Sequence, residues 1–167
     1  MPGSCSWLPA LVLFENYDGN WGKYLDALYV FYKSDFLDAG PQYQGKNVGV
    51  KRLPIVNGKE SSFWHLIQEG QGDEPTEDDR TPDLRRCERI RWPKPIIENS
   101  GDAVVRVWPN VRHTKTGVEK SICLWFEDQE YLVVLRDRKK YFLLWTAYPV
   151  TSQRKKEKLR KEFEALK

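Results

Sequence analysis

Between residues 103 and 150 short apolar runs rich in β-branched and aromatic residues replace the helical spacing of the first half. Four runs carry the pattern: AVVRVWP (103–109), VEKSICLWFE (118–127), EYLVVLR (130–136) and KYFLLWTAYPV (140–150). A period of two sends successive side chains to opposite faces of a strand. The links DQ at 128–129 and DRKK at 137–140 are short enough for hairpins, so these runs predict an antiparallel meander. The link PNVRHTKTG is longer and basic, and reads as a loop. In the last run both faces begin apolar, as expected of a central strand. Strict alternation puts Phe142, Leu144, Thr146 and Tyr148 on one face, and Tyr141, Leu143, Trp145 and Ala147 on the other.

The first half has a different period. From Asn20 to Leu37, the residues Tyr24, Leu25, Leu28, Phe31, Tyr32 and Phe36 form a helical stripe, with Asn20 as cap and Gly40-Pro41 as stop. Residues 41–60 are rich in turns, with a strand candidate VGVKRLPIV and a turn at Asn57-Gly58. Ser61 or Ser62 can cap a short helix holding Phe63, Trp64, His65 and Ile67, ended by Gly70. Residues 71–80 are acidic with almost no apolar side chains, and read as a flexible loop. Thr81-Pro82 predicts the start of a helix, DLRRCERIRW, that ends before Pro93 and Pro95. The segment SQRKKEKLRKEFEALK predicts a basic amphipathic helix with Leu159, Phe163 and Leu166 on one stripe. Helices, then strands, then one helix make an α+β layout in a single domain over residues 1–167.

Composition narrows the function. The net charge is +3, which permits a nucleic-acid partner without requiring one. The positive charge is segregated: residues 85–120 and the segment from 151 are basic, whereas 71–83 is acidic. Such segregation suits either a polyanion site or solvated helix faces. Cys5, Cys87 and Cys123 are far apart, with no CxxC pair and no Cys/His cluster, which argues against zinc and against a disulfide framework. No apolar run is long enough to span a bilayer, and the first residues lack a basic stretch before LPALVLF. A cytoplasmic protein without cofactor is expected.

Several residues could carry chemistry. His65 has the side chain best suited to general acid or base work near neutrality, although a histidine beside Phe63 and Trp64 can equally be a packed core residue. In the helix expected after Pro82, Arg85, Arg89 and Trp92 fall at i, i+4 and i+7. They can clamp a phosphate and stack a base, or form a wet arginine face. His113, between Arg112 and Lys115, suits a phosphate contact. Thr146 and Tyr148 can hold a phosphate or donate a proton, or simply end a strand. No P-loop, GxSxG elbow or HExxH occurs.

The segments FWHL (63–66), RRCERIRWPKPII (85–97) and YLVVLRDRKKYFLLWTAY (131–148), in that order, resemble the phage-type branch of the barnase–EndoU–colicin–RelE ribonucleases. The resemblance covers roughly residues 50–165, leaving the aromatic N-terminal part unmatched. It implies helices packed on a curved four-stranded antiparallel sheet whose face forms an RNA cleft. It further implies metal-independent cleavage by attack of the ribose 2′-OH on the adjacent phosphorus, for which DNA lacks the nucleophile. Carried over by position, His65 is the acid or base. Arg89 stabilises the phosphorane with help from Arg85 or Arg91, and Thr146 and Tyr148 hold or protonate the phosphate. Lys51 and Lys59, in the basic segment before FWHL and outside the matching motifs, are further candidate substrate contacts. A free-standing ribonuclease of this kind implies a toxin or phage-related effector and a cognate inhibitor protein. Two other functions fit the same residues: a non-catalytic nucleic-acid-binding module, and a protein-interaction domain using the aromatic 20–37 helix.

Overall fold

The computed structural model describes residues 5–69 and 81–166. The expected flexible loop over 71–80, and the Gly70 stop before it, lie outside the described residues. The expected α+β architecture is present, with more strands than expected. A six-stranded sheet has the order β1-β2-β8-β7-β6-β5. Its strands are β1 (Gln42–Tyr43), β2 (Lys46–Val50), β5 (Arg106–Thr114), β6 (Gly117–Phe126), β7 (Tyr131–Asp137) and β8 (Phe142–Pro149). The last four form the expected antiparallel meander. β2 adds itself beside β8 in parallel, which makes the sheet mixed and leaves β8 central.

The helix after Asn20 forms as α1 (Trp21–Tyr32), with the Asn20 side chain accepting from the Lys23 amide, and widens into a π turn over Lys33–Asp38. The second helix is α2 (Ser61–Ile67), but neither serine caps it: Glu60 is the residue before its first turn. Both serines are buried, and the Ser62 hydroxyl is hydrogen-bonded to that of Tyr32 on α1. Thr81-Pro82 does not start a helix. It forms β4 (Thr81–Pro82), which pairs with β3 (Gln68–Glu69). Asp83 is the cap instead, accepting from the amides of Arg85 and Arg86 at 2.9 and 3.4 Å. The helix it starts, α3 (Leu84–Glu88), is brief, and α4 (Pro93–Glu98) begins anew with proline at its first position. The basic link PNVRHTKTG is not a loop. It is the end of β5 and a tight turn, with His113 paired to Val118.

Alternation along the strands buries both faces. One face, with Leu124, Phe126, Val133, Leu135, Phe142, Leu144 and Ala147, packs beneath α1, α2 and α4. The other, with Trp108, Cys123, Trp125 and Leu132, is covered by α5 (Gln153–Glu164) through Leu159 and Phe163. Leu166, expected on that stripe, is exposed. The amphipathic α5 is thus a second layer on the sheet, and it leaves part of that face open.

Candidate functional site

The open part lies at the end of β8, and a bulge shapes it. The β7–β8 register slips between Val134 and Leu135: Val134 faces Thr146, whereas Leu135 faces Leu144. Trp145 is the extra residue. A bulge breaks strict alternation, so Leu144 and Ala147 remain in the core while Trp145 and Thr146 both join Tyr148 on the α5 side. The expected partition of this strand therefore holds for Thr146 and Tyr148 with each other, but not with Phe142 and Leu144, and not for Trp145.

Two adjoining hollows, of about 170 and about 330 Å³, share Tyr148 and Lys155. The smaller lies over the sheet and is lined by Arg112, Arg136, Trp145 and Thr146, with Glu162 of α5 as its acid. The larger lies between β8 and α3, lined by Arg85, Arg86 and Ser152, with Glu69 and Asp83. Positive charge thus faces the hydroxyls from four elements. Arg112 and Lys155 form no ion pair among the described residues. Arg136 is held at 2.9 Å by Glu119 and lies over the Trp145 ring, 4.0 Å from its centroid.

Tyr148 is the hinge of the arrangement. Burial raises its phenol above the ordinary value, and the nearby Arg86 charge only partly offsets this. The group is therefore a hydroxyl donor at neutral pH. The Arg86 guanidinium lies 5.3 Å from its ring centroid. Nη1 of Arg86 donates to the carbonyls of His65 and Gln68, so the end of α2 is tied to the Tyr148 side of the cleft.

The other residues singled out in the sequence are placed as follows. Arg85 lines the larger hollow and reaches the Thr151 hydroxyl at 3.5 Å. His65 is the one residue of α2 that is not fully buried, so it is not sealed in the core, yet its ring does not line either hollow. Arg89 folds back on its own helix, donating to the Arg85 carbonyl and lying over Trp92. Arg91 lies over Phe31 of α1. Trp92 offers no surface to a base: it is 5% exposed and donates to the Pro9 carbonyl. Its place in the core follows from the break between α3 and α4, which destroys the i, i+4, i+7 alignment. Lys59 lies over Tyr29, and Lys51 is exposed at the end of β2. His113 is exposed near the β5–β6 turn, one step along the strand from Arg112 and so on the opposite face.

Arg86, Arg112, Arg136, Trp145 and Lys155 were not singled out from the sequence. A signal existed for three of them. Counting in twos from buried Trp108 reaches Arg112, counting in twos from Leu132 reaches Arg136, and Lys155 precedes Leu159 by one helical turn.

Among the described residues no group of three or more His, Cys, Asp or Glu side chains could hold a metal ion. None of their helices is long and apolar enough to cross a membrane. Comparison with known proteins finds no matching family model, no matching curated protein and no matching solved structure.

Proposed function

We propose that this chain is an endoribonuclease that cleaves by 2′-OH transesterification, using basic and hydroxyl side chains without a metal. The supporting observation is the cleft itself: Arg112, Arg136 and Lys155 line the same hollow as Thr146 and Tyr148, on one open patch of sheet. In this reading the cations neutralise a phosphodiester whose charge grows as the 2′-oxygen bonds to phosphorus. Tyr148, held protonated, donates to a phosphate oxygen, and Thr146 fixes another. The 2′-oxygen gives its proton to the base as it bonds to phosphorus, the bond from phosphorus to the 5′-oxygen breaks, and that oxygen leaves with a proton returned from the protonated base through water. His65 is assigned as the base on the resemblance; Arg86 holds only its backbone carbonyl, and with it the end of α2, beside Tyr148. A toxin or phage-derived role with a cognate inhibitor belongs to the same proposal.

A second reading is favoured by one observation, that the His65 ring does not line the hollows. It is a nucleic-acid-binding module with the same cleft and no proton transfer.

The test is incubation of the pure protein with total RNA in EDTA, beside the Tyr148→Phe and His65→Ala variants. Fragments ending in cyclic phosphate, reduced about 10²–10³-fold by Tyr148→Phe, are expected. RNA binding without cleavage by any form would establish the second reading. Cleavage that is lost in Tyr148→Phe but undiminished in His65→Ala would move the base elsewhere.

A further inference from the structure

Trp145 is 42% exposed although it sits in a central strand. The bulge turns it onto the α5 side beside Thr146. Beneath it the Arg136 guanidinium packs 4.0 Å from the ring centroid. That guanidinium is itself fixed: Nη1 is 2.9 Å from the Glu119 carboxylate, and the side chain is only 12% exposed. A flat indole is therefore propped from one side by a charge that is anchored from behind. Trp145 and Arg136 both line the smaller hollow, together with Thr146 and Tyr148, whose hydroxyls are assigned to the phosphate.

A tryptophan that merely ended a strand would need no such support. An indole backed by an anchored cation, 42% exposed and bordering a cationic hollow, is a surface on which a flat aromatic ligand can stack. Pre-ordering by Arg136 lowers the entropy lost when a ligand lands on it. The neighbouring cations select a ligand that also carries phosphate. Duplex bases are already stacked on each other, so an unstacked base of a single strand is the fitting partner.

We infer that the Trp145–Arg136 stack is a nucleobase platform, seating one base of single-stranded RNA beside the phosphate held at Thr146 and Tyr148. This rests on the RNA reading above and adds the strand form and the base contact. Stacking tolerates every base, so the platform positions the chain more than it reads sequence.

The experiment compares two polyanions. Binding of a 2′-O-methyl single-stranded oligoribonucleotide, which cannot be cleaved by 2′-OH attack, is measured beside binding of inorganic polyphosphate, which has charge but no bases. Native protein, Trp145→Ala and Trp145→Phe are used, all in EDTA. Trp145→Ala is expected to weaken oligonucleotide binding by roughly tenfold and to leave polyphosphate binding unchanged, with Trp145→Phe close to native. Unchanged oligonucleotide binding in Trp145→Ala would overturn the platform while leaving the ribonuclease reading intact. Equal losses for both polyanions would also overturn it, because Trp145 would then only shape the cationic cleft. No binding of the oligonucleotide by native protein, together with intact RNA in the cleavage assay, would remove both.

Discussion

The Arg86 guanidinium lies 5.3 Å from the ring centroid of Tyr148 and donates from Nη1 to the carbonyls of His65 and Gln68, at 3.2 and 3.1 Å. One side chain thus joins three elements: the end of α2, helix α3 and the end of β8. The Asp83 carboxylate that caps α3 is 3.8 Å from its Nε, close enough for charge attraction but too far for a hydrogen bond. Only 14% of the side chain is exposed, so solvent cannot replace these contacts.

Arg86→Ala is accordingly expected to cost about 2–3 kcal/mol, as for lost hydrogen bonds from a charged donor, with two part-buried carbonyls left short. Arg86→Lys should recover less than half of that, because an ammonium lacks the planar fork and stacks poorly on a ring. Urea unfolding of the three proteins measures both values. An alanine variant within about 0.5 kcal/mol of native would mean that the tie carries no stability.

What the sequence revealed and what it hid have separate physical causes. The meander was legible because period-two runs with hairpin-length links leave few alternatives, and both β6–β7 and β7–β8 formed as expected. The Asn20 cap and the Asn57-Gly58 turn were legible because each is decided by neighbours in sequence. Hidden features depended on contacts across the fold. The bulge at Trp145 leaves no mark in the sequence, because the residues before it are apolar on both faces and fit either register. The parallel pairing of Val48 with Phe142 joins residues far apart in the chain. The alignment of Arg85, Arg89 and Trp92 on one face requires a single helix through residues 84–92, and the chain does not form one. Pro93 can begin a helix as easily as end one, and here the backbone turns at Arg89 before α4 starts.

Buried thiols and phenols set the alkaline limit of the fold. Burial pushes Cys123 up to about 11, with the Glu162 charge adding to it, and Cys87 up to about 12, with Asp83 adding. Tyr32 is raised to about 12, again by burial. Each group binds its proton more tightly folded than unfolded. Its contribution is fully present below the unfolded value, about 8.5 for Cys and about 10 for Tyr, and is lost as pH rises from there through the folded value. The urea midpoint should therefore fall steadily above about pH 8.5. At pH 8 a thiol reagent should label half-buried Cys5 first, and Cys87 and Cys123 only once urea opens the core. Prompt labelling of all three thiols in native protein would contradict this packing.

The α5 layer depends on Leu159, which is 2% exposed and belongs to the cluster of Trp108, Trp125 and Leu132. Leu159→Ala should cost about 2–5 kcal/mol, the range for truncating a buried leucine. Both tryptophans lie under this helix, so the variant should also show red-shifted tryptophan emission in mild urea, before global unfolding. A coincident shift in emission and circular dichroism would mean that α5 does not detach separately.

The unpaired cations of the cleft make a claim that salt can test. Arg112 is exposed and Lys155 half-buried, and neither forms an ion pair among the described residues, so removing either should change stability by less than about 0.5 kcal/mol. If each meets a phosphate, each alanine variant releases one fewer counterion on binding. The slope of log affinity against log salt for single-stranded RNA should then flatten by about 0.7 per residue. Lys59 is the control, because its ammonium lies over Tyr29, 5.3 Å from the ring centroid, and it lines neither hollow. Lys59→Ala should leave the slope unchanged. His113→Ala should leave it unchanged as well, since that imidazole is on the opposite face of β5 from Arg112. A slope that flattens equally in all four variants would mean that the charge acts as a diffuse field. One that flattens only in the controls would place the polyanion on the other side of the sheet.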